Sequence, residues 1–104
     1  MPAEKTAYQF IQINSLFGDV DMASFKHYIR IWVDISPDGK VTPHKMEWDD
    51  GARYPIDRVL SCHRCHFDGS AEITERYEVL MYGQRRYLYR EVASGRWFVE
   101  QTNI

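Results

Sequence analysis

Both cysteines of the chain fall in one five-residue stretch, Cys62-His63-Arg64-Cys65-His66. The order C-x-x-C-H is that of c-type haem attachment, in which two thiols add to the haem vinyl groups and the adjacent His becomes an axial ligand. The context opposes that chemistry. The flanking residues read as strands rather than short helices, and the N-terminus does not advertise the export route that covalent haem attachment needs. Zinc suits the pattern better, because a Cys-x-x-Cys turn lets two thiolates approach one ion. Tetrahedral zinc then needs two further ligands, one from His63 or His66 and another from His44 or His27 across the fold. No second Cys-x-x-Cys and no His-x-x-x-His pair completes the set. A dithiol redox site would sit at a strand-to-helix junction, and none is legible here. The simplest account is an exposed polar connection in a reducing cytosol with one cysteine turned inward. No metal ligand and no cofactor is therefore assigned. Cys62, Cys65 and His66 stay as the residues of an alternative, a zinc-stabilised or redox-responsive domain.

Catalytic groupings are few. Glu47, Asp49, Asp50 and Asp57 gather around one hairpin, yet Asp and Gly are what such turns require. Ser61 beside Cys62 and His63 is not a nucleophile–base pair, because chain neighbours on a strand point to opposite faces. No phosphate-cradling glycine loop and no nucleophile elbow is present. The expectation is a protein that is not an enzyme.

A second grouping is aromatic and basic. With Ile29, Ile31 and Val33 facing a core, Tyr28 and Trp32 face outward. With Leu88 inward, Tyr87 and Tyr89 face outward, and Phe98 does so if Trp97 and Val99 are core. Arg30, Arg86 and Arg90 accompany them, with Arg85 and Arg96 nearby. Aromatic side chains interleaved with Arg stack bases and hold phosphates on oligonucleotide-binding barrels. The same residue types are enriched in protein interfaces. A third outcome is that residues 8–17 lie across this face and bury it as a second small core. Net charge separates the first two. The chain carries 13 basic and 15 acidic side chains, a net charge of −2, which gives no global drive toward nucleic acid. Single-stranded nucleic-acid binding is thus a subordinate alternative. An interaction surface for a protein partner or for self-association is the first expectation, with Tyr28, Trp32, Tyr87, Tyr89 and Phe98 at its centre and Arg30, Arg86 and Arg90 at its rim.

The elements that must position these residues follow from period-two alternation. Residues 26–35 alternate cleanly and end in Pro37-Asp38-Gly39-Lys40, a turn in which Pro presets φ. Residues 41–48 return, with Met46 and Trp48 on one face, and Pro43 marks an edge or a bulge. Asp49-Asp50-Gly51 turns the chain into residues 53–60. Residues 61–70 read as a connection, residues 72–82 as a strand, Gly83-Gln84 as a turn, and residues 85–92 and 96–101 as two more strands. That makes six strands at intervals suited to a small barrel or compact sandwich. Residues 1–25 show no clean period and stand apart as an N-terminal extension before a β-barrel domain, residues 26–104.

At 104 residues the chain is one domain with room for a single core. Its aromatic fraction of 14% favours strands. No apolar run approaches bilayer-spanning length, and the first ten residues lack the basic start and apolar stretch of a secretory signal. A cytoplasmic location and no membrane partner are expected.

Four segments carry a family resemblance. They are Trp48-Asp49-Asp50-Gly51-Ala52-Arg53-Tyr54-Pro55-Ile56-Asp57-Arg58-Val59-Leu60, Glu75-Arg76-Tyr77-Glu78-Val79, Arg86-Tyr87-Leu88-Tyr89-Arg90-Glu91 and Gly95-Arg96-Trp97-Phe98-Val99-Glu100. Together they resemble a family of small uncharacterised bacterial proteins with an all-β, strongly bent SH3-like barrel, over residues 26–100. The resemblance implies a six-stranded antiparallel barrel with an added extension, and no activity or site residue. The Cys62-to-His66 stretch departs from the family, where an ordinary basic or small-residue connection is expected.

Overall fold

The alternation read along the sequence becomes seven antiparallel strands in one curled half-barrel: β1 (Ser24–Ile35), β2 (Val41–Glu47), β3 (Arg53–Pro55), β4 (Arg58–Cys65), β5 (Thr74–Met81), β6 (Gln84–Glu91) and β7 (Trp97–Thr102). A computed structural model describes residues 24–102. The expected extension, residues 1–25, and the cover by residues 8–17 lie outside the described residues but for Ser24 and Phe25, which already belong to β1. The spatial order is β3-β2-β1-β7-β6-β5-β4.

β1 is the strand on which the sheet turns. Ser24 through Ile29 pair with β7, whereas Arg30 through Ile35 pair with β2. Changing partner midway lets the β3-β2 end fold over toward the β7-β6-β5-β4 end. Two irregularities add to the curl. His44 is left out of the β1/β2 register and Leu60 out of the β4/β5 register, and an unpaired residue of this kind bends its strand and increases local twist.

Two boundaries differ from the sequence expectation. The run 53–60 is two strands, because Pro55 cannot donate to a ladder and the chain crosses at Ile56 and Asp57. There the Ile56 amide donates to the His44 carbonyl at 3.0 Å and the Asp57 amide to the Leu80 carbonyl at 2.8 Å. β4 then continues through Cys65, so half of the expected connection 61–70 is strand, and seven strands stand where six were expected. The remainder holds a single 3-10 turn, Phe67–Gly69. The β5/β6 hairpin turns at Tyr82-Gly83, one residue earlier than expected, with Met81 opposite Gln84. Both turn residues have positive φ, 50° and 73°, as a two-residue type I′ hairpin requires.

The concave side holds the main core. Met46, Tyr54 and Ile56 meet Tyr77, Val79, Met81, Leu88, Trp97 and Val99, all buried. A smaller cluster sits on the convex side, where Phe67 covers Tyr89 and Phe98 and Cys65 packs against them. No helix of the described residues is long and apolar enough to cross a membrane.

Candidate functional site

The outer face is built by β1, β7, β6 and β5. Trp32 is half-buried and ringed by cations: the Lys45 ammonium lies 4.4 Å from its ring centroid, and the guanidinium carbons of Arg30 and Arg53 lie at 4.9 and 5.0 Å. One carboxylate serves this group. Glu47 accepts from Arg53 Nε at 3.1 Å and lies 4.0 Å from Arg30. Tyr28, 37% exposed, carries the Arg96 guanidinium 3.6 Å above its ring. Its hydroxyl donates to Glu91 at 2.6 Å, a bond that raises the Tyr28 pKa. Tyr87, 44% exposed, is stacked under Arg76 at 4.8 Å.

The other four expected surface residues are not there. Phe98 is fully buried and Tyr89 nearly so, because Phe67 packs edge-on against both at 5.0 and 5.4 Å. The two covered rings stack on each other at 5.1 Å and 7°. Burial pushes the Tyr89 hydroxyl up to about 12, with Glu100 adding to it. Arg86 and Arg90 lie on the inner face, opposite Val79 and Glu75 in the register. Alternation explains the correction: residues 86 and 90 share the parity of Leu88, which is core.

Beneath this face, Glu91 ties three elements together. It accepts from Lys26 Nζ at 2.8 Å, Tyr28 Oη at 2.6 Å and Ser94 Oγ at 2.7 Å, and Lys26 also reaches Glu72 at 2.9 Å. Burial alone would push the Glu91 carboxyl up. The hydrogen bonds from Lys26, Ser94 and Tyr28 outweigh it and bring the group down to about 2.

The inner face offers a second place, which sequence reasoning did not find. Where the described strands stop short of a closed barrel, a cleft of about 710 Å³ lies between β2 and β4, lined among others by Val41, Cys62, Arg64, Glu75, Tyr77 and Arg90. On its floor, Glu75 Oε1 accepts from Arg90 Nη1 at 3.0 Å and from the Tyr77 hydroxyl at 3.2 Å. That hydroxyl also lies 3.4 Å from the Val41 carbonyl. Burial, then the neighbouring Cys62 and Glu75, push the Tyr77 pKa far up, so the phenol is a fixed donor. Burial and the Glu75 charge raise the Cys62 pKa as well. A protonated thiol is a poor nucleophile and a poor metal ligand. The cleft thus presents hydrogen-bond donors and a paired charge along its floor. Its residues come from strands far apart in the chain, so no local motif announces it.

The cysteines do not converge. Cys62 pairs in register with the core residue Tyr77 and lies on the inner face, whereas Cys65 packs against the outer cluster with Phe67. Residues three apart on a strand point to opposite faces, so the two sulfurs cannot share one ion while β4 is formed. His66 is exposed beyond the strand end, and among the described residues no group of three or more His, Cys, Asp and Glu side chains converges on one point. Comparison with protein-family models, curated proteins and solved structures finds no match to this chain.

Proposed function

We propose that the protein is a non-enzymatic interaction module that binds a protein partner or a second copy of itself through the part of the outer face that stays accessible. Trp32 and Arg30 form its centre, and Tyr28 and Tyr87 extend it along the sheet. The observation that carries this reading is the half-exposed indole held among three cations and one carboxylate. Trp, Tyr and Arg in such groupings dominate binding energy at protein interfaces, and the excess positive charge around Trp32 fits a partner surface rich in carboxylates. We also infer that the half-barrel is a variant of the SH3-like barrel. A corner strand shared by two halves of the sheet supports that reading.

The test places a photo-crosslinking phenylalanine at position 32 or 87 of the full chain, in its native cells, with exposed Ile35 as the control position. Discrete adducts from positions 32 and 87, absent from position 35, are the expected result. An adduct of twice the 12.4 kDa chain mass identifies self-association, and a different mass a partner protein. Adducts no more abundant than at the control position overturn the proposal.

A further inference from the structure

We propose that the seam between β2 and β4 is a second binding site, one that takes an extended acidic peptide as an added strand alongside β4. This rests on the inner cleft and is independent of the outer aromatic surface.

β4 ends the sheet order and pairs only with β5 among the described residues. Cys62, His63 and Arg64 in its middle are exposed, and no described strand pairs with its outer edge. A terminal strand offers a row of backbone donors and acceptors to any extended chain laid beside it. β2 faces it across the cleft with a partly free edge of its own. Its pairing with β3 covers only Lys45 through Glu47, so residues 41–44 lack a second ladder among the described residues and are met there by the Ile56 amide at His44 and the Tyr77 hydroxyl at Val41. At about 3.3 Å per residue, the eight residues of β4 present an edge roughly 26 Å long.

Charge decides the occupant. The cleft is lined by three cations, Lys40, Arg64 and Arg90, and one acid, Glu75. Arg90 and Glu75 neutralise each other. Lys40 and Arg64 make no ion pair among the described residues, and although Asp38 lies near enough to Lys40 to sense its charge, cations outnumber acids along the cleft. Arg58 at the start of β4 adds another cation along the same edge. A second copy docked edge to edge would bring its own Arg58 and Arg64 to an edge that already carries both, and gathering like charges there is unfavourable. A peptide with carboxylates at alternate positions has the opposite property. Every second side chain of an added strand points to the same face, so its acids enter the cleft beside Lys40 and Arg64 while its backbone pairs with β4.

The experiment is an NMR titration of the full chain, followed by backbone amide shifts. The probe is a blocked hexapeptide alternating Thr or Val with Glu, and the comparison is the same peptide with Lys in place of Glu. With the acidic peptide, shifts concentrated in residues 58–65 and 41–44 are expected, together with slowed hydrogen exchange at the outer amides of β4. Affinity should fall several-fold as ionic strength rises from about 20 to about 200 mM. The exposed Arg64→Glu variant, whose folding the same spectra verify, should weaken the acidic peptide about tenfold and favour the lysine peptide. Equal response to both peptides, no shifts at about 1 mM acidic peptide, or shifts confined to residues around Trp32 and Tyr87 would each overturn the seam as the site. The last of these would leave the outer surface standing as a binding face, so the two proposals fail separately.

Discussion

Glu91 is the residue at which stability and pH are most tightly joined. Its side chain is nearly inaccessible, and three donors from β1 and the β6/β7 turn converge on its two oxygens. Its folded pKa, about 2, lies below the ordinary 4.5. A depressed carboxyl contributes stability that is fully present above the unfolded value and is lost as pH falls through the folded one. Acid unfolding should therefore steepen between about pH 4.5 and about pH 2. Glu91→Gln should remove that part of the pH dependence. At pH 7 it should also cost about 3 kcal/mol, because Lys26 then keeps only Glu72 as a charged partner. Chemical denaturation repeated across the pH range checks both statements. A variant retaining the wild-type acid profile would show that another carboxylate governs it.

Among the elements, β4 has consequences that its sequence conceals. Ser61, Cys62, His63, Arg64 and Cys65 are neither strongly apolar nor clearly alternating, so they read as a connection. Edge strands need neither property, since they are paired on one side and wet on the other. Once the segment is a strand, its pleat sends the two thiols to opposite faces and C-x-x-C ceases to be a chelating turn. The folded protein should form no Cys62-to-Cys65 disulfide when treated with a thiol oxidant, whereas the denatured protein should form it readily. Intact-mass spectrometry after alkylation distinguishes the two forms. Rapid disulfide formation under native conditions would mean that β4 opens at low cost. The β5/β6 hairpin shows the reverse case, a feature whose local signal was sound but whose register was not. Gly83 marks the turn, yet Tyr82 rather than Gln84 shares it, because a type I′ turn needs two positive-φ positions.

At the scale of the whole molecule, a curled sheet has two faces to satisfy, and each is covered differently. The concave side closes on itself through Tyr54, Val79, Leu88 and their neighbours. The convex side would leave Tyr89 and Phe98 in water without the short 3-10 turn that lays Phe67 over them. Phe67→Ala should cost about 3 kcal/mol by opening that cluster. It should also raise binding of a hydrophobic dye while the strand content seen by circular dichroism is kept. Loss of the strand signal instead would show that the outer cluster is needed for the sheet itself.

The amino-acid sequence by itself determined that the protein is β-structured, which residues share a face within the regularly alternating strands and where most turns fall. Those properties arise from the local pleat and from turn chemistry, each written within a few neighbouring residues. Tertiary structure alone decided which faces are covered. Phe67 reaches β6 and β7 only because the sheet brings them together, and the seam exists only because β2 and β4 approach without pairing among the described residues. Coverage depends on contacts between segments distant in the chain, and no period or motif within a segment encodes them. The accessible part of the outer face and the cationic cleft therefore emerged with the fold.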